Sequence, residues 1–159
     1  MFTVDNSMEV RSERVHVWAV LTAFEAFDQW HPYVWISGRP IHNELIRYGL
    51  KQLAGLPARR SVPARVFHLD PGQAVGWRLS IPRLMTIDEI YTLSDSGPRT
   101  TVHHQVRFEG PISGVVRRLV SRRVKPLLET ADAALAARLT DRRTVAGRPR
   151  SGRGRAGRR

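Results

Sequence analysis

The sequence contains no cysteine, so disulfide bonds, thiolate zinc sites and cysteine nucleophiles are all excluded. Long hydrophobic runs are also absent, because no stretch reaches the roughly 18 consecutive apolar residues that a membrane-spanning helix needs. The N-terminal residues MFTVDNSMEV lack the basic region and apolar core of a secretory signal. We therefore expect a soluble, cytoplasmic protein, while the redox compartment stays open.

Motifs that mark common catalytic sites are missing as well. The sequence has no phosphate-binding P-loop, no G-x-S-x-G nucleophile elbow and no H-E-x-x-H zinc motif. GRGRAG at 152–157 matches the dinucleotide-binding pattern G-x-G-x-x-G, but no strand precedes it and no helix follows it. His103 and His104 are adjacent on a predicted strand and point to opposite faces, so they cannot bind one metal ion. We predict neither a metal site nor a cofactor.

Positive charge is concentrated at the C-terminal end. The 159 residues include 26 basic and 14 acidic side chains, a net charge of +12. Residues 141–159 hold eight arginines against Asp141 alone, which gives +7 and leaves +5 for residues 1–140. Because this segment is rich in Gly and Arg with almost nothing apolar, we expect a disordered tail after a folded domain at 1–140.

The first part of the chain predicts one strand and two short helices. Apolar and polar residues alternate over 2–10, the period of a half-buried strand, and Asn6 is the polar exception on the apolar face. Ser12 can cap a helix that follows this strand. The apolar positions of that helix are Val15, Trp18, Ala19 and Leu21. A second helix over about 23–28 should end by Trp30, because Pro32 disfavours helical geometry at His31.

Six further strand-like segments follow, separated by turn sequences such as SGRP, DPG and DSGP. They span about 34–38, 43–53, 59–69, 73–80, 84–94 and 99–109. An apolar stripe then predicts a long helix from about Ile112 to Leu139, with a kink or a break at Pro126. This order predicts an α+β fold: a curved antiparallel sheet of about seven strands around a long C-terminal helix, with two short helices between strands one and two.

Short motifs in a consistent order along the chain carry a family resemblance. They are Val17-Trp18, Trp30-His31-Pro32, Gly38, Pro63 with Val66, Asp70-Pro71-Gly72, Trp77, Arg99-Thr100-Thr101 and Phe108-Glu109-Gly110. In this order they resemble the START/Bet v 1-like superfamily, in the SRPBCC branch of polyketide cyclase/dehydrase-like proteins. The resemblance covers residues 2–140 and implies a helix-grip fold with a deep pocket for lipids, sterols, polyketides or other hydrophobic molecules. Such proteins range from carriers to enzymes, so the fold alone does not fix the function.

The last two strands predict a polar pair inside the sheet. With a turn at 95–98, Glu89 faces His104 across the inner surface, and the apolar residues of both strands share that face. The other pairs in this register are Leu93 with Thr100, Tyr91 with Val102, Ile87 with Val106 and Met85 with Phe108. We interpret Glu89 and His104 as the polar anchor of the pocket; the alternative is a hydrogen-bonded pair that only satisfies buried polarity.

Aromatic residues supply much of the candidate lining. The stretch DQWHPYVW at 28–35 is interpreted as the lip and inner wall of a cavity. Most aromatic side chains are expected to be core, with Trp30, Trp77 and Tyr91 as the ones that contact ligand. His31 either lies at the pocket mouth or is a surface-loop histidine. The predicted ligand-binding residues are Trp30, His31, Trp77, Ile87, Glu89, Tyr91, His104, Val106, Phe108, Leu127 and Leu128.

Three functions are compatible with these features. The first is a binding module that carries or senses a hydrophobic small molecule, such as a lipid or a polyketide-like compound. The alternative is a cyclase or dehydratase for a polyketide-like substrate, in which Glu89 and His104 move protons and Asn6 or Tyr91 orients a carbonyl. The third is contact of the tail at 141–159 with nucleic acid or an anionic membrane, although the tail lacks aromatics for base stacking and a solvated extension is the simpler reading. The sequence predicts neither the ligand nor the oligomeric state.

Overall fold

A seven-stranded antiparallel sheet and one long helix form the computed structural model, which describes residues 1–51 and 61–146. The strands are β1 Phe2–Val10, β2 Val34–Ser37, β3 Leu45–Leu50, β4 Ser61–Asp70, β5 Ala74–Ile81, β6 Met85–Ser96 and β7 Arg99–Glu109. Helix α1 (Arg14–Thr22) and a 3₁₀ helix (Phe24–Gln29) lie between β1 and β2, and helix α2 (Ser113–Ala146) follows β7. The predicted α+β, helix-grip architecture is confirmed.

The strands follow one another across the sheet, except that β1 lies beside β7. The order is β1-β7-β6-β5-β4-β3-β2, and each neighbouring pair is antiparallel. The β1–β7 pairing extends from Phe2↔Phe108 to Val10↔Thr100. Helix α2 packs on both of these strands. The predicted end of the strand at 43–53 and the predicted start of the strand at 59–69 fall in residues 52–60, which lie outside the described residues.

Two apolar faces hold the helix against the sheet. Along β1, Val4 and Val10 are buried while the odd-numbered residues from Thr3 to Glu9 are exposed, so one face of the strand points inward. The buried apolar residues described in α2 lie three or four positions apart on one side of the helix: Leu128, Ala131, Leu135 and Leu139. Removing these faces from water is the main favourable contribution to their association.

Helix α2 runs through Pro126 without interruption. A kink or a break was predicted at this residue, and the helix does not break there. Pro126 is exposed, and water can bind the carbonyl oxygen that the missing N–H leaves without a partner. The helix also continues to Ala146, beyond the boundary predicted at 140, so residues 141–146 are helical rather than disordered. Residues 147–159, the rest of the predicted tail, lie outside the described residues.

Helix α1 begins one residue later than a cap at Ser12 would require. Glu13 occupies the N-cap position without a side-chain hydrogen bond. Ser12 instead accepts a 2.7 Å hydrogen bond from Thr100 Oγ1 through its backbone carbonyl, which ties the start of the helix to β7. Val15, predicted on the apolar face, is 62% exposed. The buried residues of α1 are Val17, Val20 and Leu21.

The β6–β7 hairpin turns more tightly than predicted. Ser96 pairs with Arg99, so the loop contains two residues and the predicted pairing around a turn at 95–98 is wrong. Gly97, the first loop residue, has φ 61°, a left-handed conformation that glycine adopts without the steric cost of a Cβ. The tight loop therefore depends on this glycine.

The tighter turn displaces each predicted β6–β7 pair by two residues. His104 pairs with Tyr91 rather than with Glu89, and Glu89 pairs with Val106. Because side chains alternate between faces with a period of two, a shift of two residues leaves every side chain on its predicted face. Glu89 and His104 both still point inward and become diagonal neighbours.

The interior contains two apolar clusters. The larger cluster combines aliphatic residues of α1 with buried rings of the 3₁₀ helix and the sheet, including Phe24, Phe27, Trp77 and Tyr91. The smaller cluster consists of Val4, Met85, Val106, Phe108 and Leu128. Within the described ranges, no helix is both long enough and apolar enough to cross a membrane.

Candidate functional site

Side chains from both clusters line an internal cavity of about 330 Å³. Small-molecule sites span about 300–1,000 Å³, so this cavity is at the lower end of that range. Strands β2, β3, β5, β6 and β7 form one wall, and α2 forms the other. The lining residues are His31, Tyr33, Val34, Tyr48, Leu50, Leu79, Ile87, Glu89, His104, Val106, Phe108, Val124, Leu127, Leu128 and Ala131.

Most of the predicted ligand-binding residues lie on this wall. Those that line the cavity are His31, Ile87, Glu89, His104, Val106, Phe108, Leu127 and Leu128. Trp30, Trp77 and Tyr91 do not. Trp77 and Tyr91 are 0% and 1% exposed, and Trp30 packs on Phe27 with ring centroids 4.8 Å apart. Trp77 and Tyr91 belong to the larger cluster and Trp30 packs against it, so ligand contact by these three rings stays a prediction that the cavity lining does not support.

The remaining lining residues were not predicted as site residues. They are Tyr33, Val34, Tyr48, Leu50, Leu79, Val124 and Ala131. The first two belong to the stretch 28–35 that was interpreted as the wall, and the last two belong to the apolar stripe of α2. The two residues of β3, Tyr48 and Leu50, had no sequence signal beyond their strand.

A buried network of charged groups lies at one side of the cavity. His104 Nε2 is 3.2 Å from Glu89 Oε1, and His104 Nδ1 is 2.9 Å from Asp132 Oδ1. These three side chains, on β6, β7 and α2, are each less than 10% exposed. We call Glu89, His104 and Asp132 the charged network. Asp132 was missed from the sequence, although an acid between Leu128 and Leu135 on the buried stripe was a signal for it.

Every carboxylate oxygen of the charged network has a donor. Glu89 Oε2 accepts hydrogen bonds from Tyr48 Oη at 3.0 Å and from Trp77 Nε1 at 3.1 Å. Asp132 Oδ2 accepts from Asn6 Nδ2 at 2.8 Å. Asn6, the polar exception on β1, thus serves to bind the acid of α2. Satisfying buried carboxylates in this way offsets their loss of hydration.

The geometry fixes the proton content of the charged network. A neutral imidazole has one donor and one acceptor nitrogen, yet both nitrogens of His104 face carboxylate oxygens, which only accept when ionised. One additional proton is therefore shared among the three groups. Burial alone lowers the pKa of His104, but the hydrogen bonds and charges of Asp132 and Glu89 outweigh it and raise that pKa to about 9.

The contact between His104 and Glu89 lowers the pKa of Glu89. Burial alone raises the pKa of Glu89, but the hydrogen bond and charge of His104 outweigh it and hold that pKa below its usual range. At neutral pH the network therefore consists of one imidazolium and two carboxylates. Its net charge is negative, by one unit, because one positive group faces two negative groups.

Tyr91 stacks on the charged ring of His104. The ring centroids are 4.0 Å apart with an interplanar angle of 20°. A cation against an aromatic face is attracted by the ring quadrupole, so this contact favours the imidazolium. The Tyr91 hydroxyl is buried without a hydrogen-bond partner among the described residues. Burial, together with the charges of Glu89 and Asp132, raises the pKa of Tyr91 well above its usual value.

His31 is a buried histidine on the cavity wall rather than a surface-loop residue, since it is 3% exposed. Its Nδ1 accepts backbone N–H hydrogen bonds from Tyr33 at 3.2 Å and from Val34 at 3.0 Å. A nitrogen that accepts has no proton, so the neutral ring has its proton on Nε2. Burial is the main reason that the pKa of His31 is lowered to about 4, which keeps this tautomer at neutral pH.

His103 lies on the outer face of β7, opposite to His104, as predicted. Its Nδ1 is 2.8 Å from Ser7 Oγ on β1. The part of the chain at 1–51 and 61–146 contains no group of three or more His, Asp or Glu side chains placed to hold a metal ion.

The fold recurs in solved structures of other proteins. A protein from Chromobacterium violaceum matches with a TM-score of 0.69 at 11% identity, over 86% of this chain and 96% of that one. A START superfamily protein from Mycobacterium smegmatis matches with a TM-score of 0.62 at 17% identity, over 87% and 97%. The di-domain ARO/CYC StfQ from the steffimycin biosynthetic pathway matches with a TM-score of 0.69 at 8% identity, over 89% of this chain and 51% of that one. At these identities the likeness shows a shared fold.

A family model gives the assignment that these structures leave open. A comparison with curated proteins finds no match. The model described as "Polyketide cyclase / dehydrase and lipid transport" matches residues 1–140, a span that contains the seven described strands and the whole described cavity lining. This confirms the resemblance that the short motifs indicated. The chain belongs to the polyketide cyclase/dehydrase and lipid transport family.

Proposed function

We propose that the protein binds a hydrophobic small molecule, such as a lipid or a polyketide-like compound, in the cavity and acts as its carrier or sensor. The observation that supports this most is the cavity itself, about 330 Å³ of space between sheet and helix with mainly aliphatic and aromatic walls. Pockets of this size and lining bury most of the surface of a small apolar ligand. The match to a family that includes lipid transport points in the same direction.

The state of the polar groups favours binding over catalysis. General acid–base catalysis is most effective when the pKa of the acting group is near the working pH. The pKa of His104 is raised to about 9, that of His31 is lowered to about 4, and that of Glu89 is held low. Both nitrogens of His104 are also occupied by carboxylates, so a bound molecule cannot reach them without breaking the charged network.

A cyclase or dehydratase acting on a polyketide-like substrate is the second candidate. The observation that favours it is the Glu89–His104 contact beside the cavity, where a carboxylate and an imidazolium could move a proton. The two residues considered for orienting a carbonyl are less suited to that role. Asn6 donates to Asp132, and Tyr91 does not line the cavity.

The first experiment tests whether the cavity binds an apolar ligand. Protein purified from its own cells is examined by native mass spectrometry, and any co-purifying molecule is extracted and identified. In parallel, the neutral dye N-phenylnaphthylamine is titrated into wild type, Ala131→Leu and Ala133→Leu. Ala131 lines the cavity, whereas Ala133 is exposed on the same helix, so the second variant is the matched control.

We expect the dye affinity to fall at least about tenfold in Ala131→Leu, because the larger side chain occupies the cavity, and to stay unchanged in Ala133→Leu. Circular dichroism verifies that both variants fold. Equal dye binding in all three proteins, with no co-purifying molecule, contradicts a ligand-binding cavity. Conversion of a polyketide-like substrate that disappears in His104→Ala, with the fold retained, establishes the enzyme instead.

The basic tail remains a separate hypothesis, because residues 147–159 lie outside the described residues. Contact of the tail at 141–159 with nucleic acid or an anionic membrane predicts that deletion of these residues weakens binding and reduces its dependence on salt. Unchanged binding of the truncated protein contradicts this role. A cytoplasmic location likewise remains an expectation from the sequence.

A further inference from the structure

We propose that the cavity selects a neutral apolar molecule with a hydroxyl group, an alcohol or a phenol, and rejects carboxylates such as fatty acids. This deepens the proposed function and rests on it, because it names the class of ligand for the same cavity. Two features support it: the charge beside the cavity, and the hydrogen-bonding capacity that its wall leaves for a ligand.

The charge beside the cavity is negative. Glu89, which lines the cavity, belongs to a network whose two carboxylates face a single imidazolium. Among the described lining residues there is no lysine or arginine. Lys51 lies near His31, but its Nζ is held at 2.6 Å by the carbonyl oxygens of both Asp28 and His31, and it is not part of the lining. The cation on the described wall is the His104 imidazolium, and both of its nitrogens are already held by Glu89 and Asp132. An anion that entered the cavity would therefore lose its hydration without gaining an unpaired cation.

Glu89 retains one acceptor position for a ligand. An ionised carboxylate offers about four lone-pair positions, two on each oxygen. Oε2 accepts from both Tyr48 and Trp77, and Oε1 accepts from His104. The Tyr91 hydroxyl lies near Glu89 but outside hydrogen-bond distance. The acceptor position that remains is therefore on Oε1 of Glu89, and the Glu89 side chain faces the cavity. A ligand that uses this position must donate a hydrogen bond.

His31 supplies the complementary donor. Its Nδ1 is occupied by two backbone N–H groups, so its ring proton is on Nε2. No group among the described residues hydrogen-bonds to Nε2, and His31 lines the same cavity as Glu89. Phe27 stacks on His31 with ring centroids 5.9 Å apart and meets Trp77 edge to face, and Trp77 Nε1 donates to Glu89, so both wall groups lie beside the same group of rings. A ligand that uses Nε2–H must accept a hydrogen bond.

A hydroxyl group can both donate and accept a hydrogen bond, the two functions that Glu89 and His31 leave open. It donates to Glu89 and accepts from His31, whereas a ketone can only accept and leaves Glu89 without a ligand donor. A carboxylate also only accepts, and in addition it places a second negative charge beside Glu89. A pure hydrocarbon leaves both polar groups without a ligand partner, which costs affinity relative to the alcohol. The wall thus favours the hydroxyl over each of these alternatives.

The test compares ligands that share one apolar body. Calorimetric titration of the full-length protein at neutral pH uses naphthalene, naphthol and naphthoic acid, and then the linear pair decanol and decanoic acid. Phenols and alcohols are neutral under these conditions, whereas the acids are ionised. We expect the hydroxyl compound to bind at least about tenfold more tightly than its carboxylate partner in both series, and more tightly than naphthalene in the aromatic one.

Variants locate the selectivity at the two wall groups. Glu89→Gln should reduce the ratio of hydroxyl to carboxylate affinity at least about threefold, because the charge facing the ligand is removed. Asp88→Asn is the matched control: Asp88 is the next residue of β6, points to the outer face and is held by Arg78 at 2.6 and 2.7 Å. It should leave the ratio unchanged. His31→Phe should reduce the preference for naphthol over naphthalene, because Glu89 is then left as the wall group that binds the hydroxyl.

The outcomes separate this inference from the proposed function. Carboxylates that bind wild type as tightly as their hydroxyl partners overturn the inference and leave the apolar-ligand function standing. Naphthalene that binds as tightly as naphthol overturns the hydroxyl match. If none of the five compounds binds, the proposed function fails and the inference fails with it. The wild-type comparison decides the question even if Glu89→Gln does not fold.

Discussion

The larger and the smaller apolar clusters cover the same inner face of the sheet, but only one of them is filled with rings. In the larger cluster, Phe24 and Phe27 meet Trp77 edge to face, with ring centroids 5.6 and 5.7 Å apart. In the smaller cluster, the stacked pair Phe2 and Phe108 is the aromatic contact among the described residues, and the other buried members are aliphatic. The cavity lies where these two clusters adjoin.

The difference shows what creates the space. The 3₁₀ helix places two buried phenylalanines over the part of the sheet that carries Trp77, so side-chain volume is abundant there. The part that carries Ile87 and Val106 is covered by α2, where the cavity-facing residues include Ala131. A small side chain at that position cannot reach the sheet, and an apolar gap remains. The small side chain of Ala131 therefore contributes to the hollow, whose other lining residues on α2 are Val124, Leu127 and Leu128.

Removing a side chain from each region should give the largest difference in stability. Phe24→Ala deletes a 2% exposed ring from the filled cluster and should lower the free energy of unfolding by about 3–5 kcal/mol. Leu127→Ala deletes a half-buried side chain that already borders empty space, and should cost about 1 kcal/mol or less. Urea unfolding monitored by tryptophan fluorescence measures both. Equal losses would contradict the contrast between a filled region and a hollow one.

The charged network at the junction of the clusters predicts a fall of stability at alkaline pH. The pKa of His104 is about 9 in the folded protein and 6.5 when unperturbed. The folded chain thus retains a proton that the unfolded chain releases, so this contribution is full below pH 6.5 and is lost as the pH rises through about 9. The free energy of unfolding should fall by roughly 3 kcal/mol over this window. Urea titrations at a series of pH values measure it; a flat profile would be the contrary result.

The lowered pKa of His31 should make the protein less stable at acid pH. Its pKa is lowered from 6.5 to about 4, mainly by burial, so between these values the unfolded chain takes up a proton that the folded chain excludes. Stability should therefore decrease as the pH falls through this window, and the low pKa of Glu89 adds to the loss at its acid end. The charges of Glu89, His104, Lys51 and Asp132 also act on His31. An unchanged acid slope in His31→Phe would contradict this assignment.

The sequence predicted the strands and their faces better than it predicted contacts across them. Alternation along a strand assigns each residue to a face, and a displacement of two residues at the β6–β7 turn leaves that assignment intact. Glu89 and His104 were therefore found on the same inner face through a wrong pairing. The position of the turn depends on Gly97 adopting a left-handed conformation, and several arrangements of DSGP fit the local pattern equally well.

Alternation along the strands could not predict how deeply a side chain is buried or which distant residues it contacts. Periodicity shows that Trp77 and Tyr91 face inward, but not that other rings cover them before a ligand can. Asp132 joins His104 from an element 28 residues further along the chain, so the contact exists only after α2 has packed on the sheet. Local patterns thus locate the inner wall, while its polar network is a product of tertiary packing.

Loss of the donor from β1 should have an intermediate effect on the network. Asn6→Leu removes the 2.8 Å hydrogen bond to Asp132 Oδ2 and leaves a buried carboxylate oxygen without a partner, which should cost about 1.5–3 kcal/mol. Ser7→Ala is the matched control, because the adjacent residue makes its 2.8 Å contact to His103 on the exposed face. That variant should change stability by about 0.5 kcal/mol or less. A similar cost for both variants in thermal unfolding would show that Asn6 has no special role.

Added volume should distinguish the two regions with the smallest effects. Ala64 is 2% exposed within the larger cluster, so Ala64→Leu must displace well-packed neighbours and should cost about 1–3 kcal/mol. Ala131 faces the cavity, so Ala131→Leu has room for its new atoms and should change the free energy of unfolding by about 1 kcal/mol or less, in either direction. The same urea titrations measure both variants. A large loss in Ala131→Leu would mean that the space between α2 and the sheet cannot admit even one additional side chain, and a ligand could then enter only if the helix moved away from the sheet.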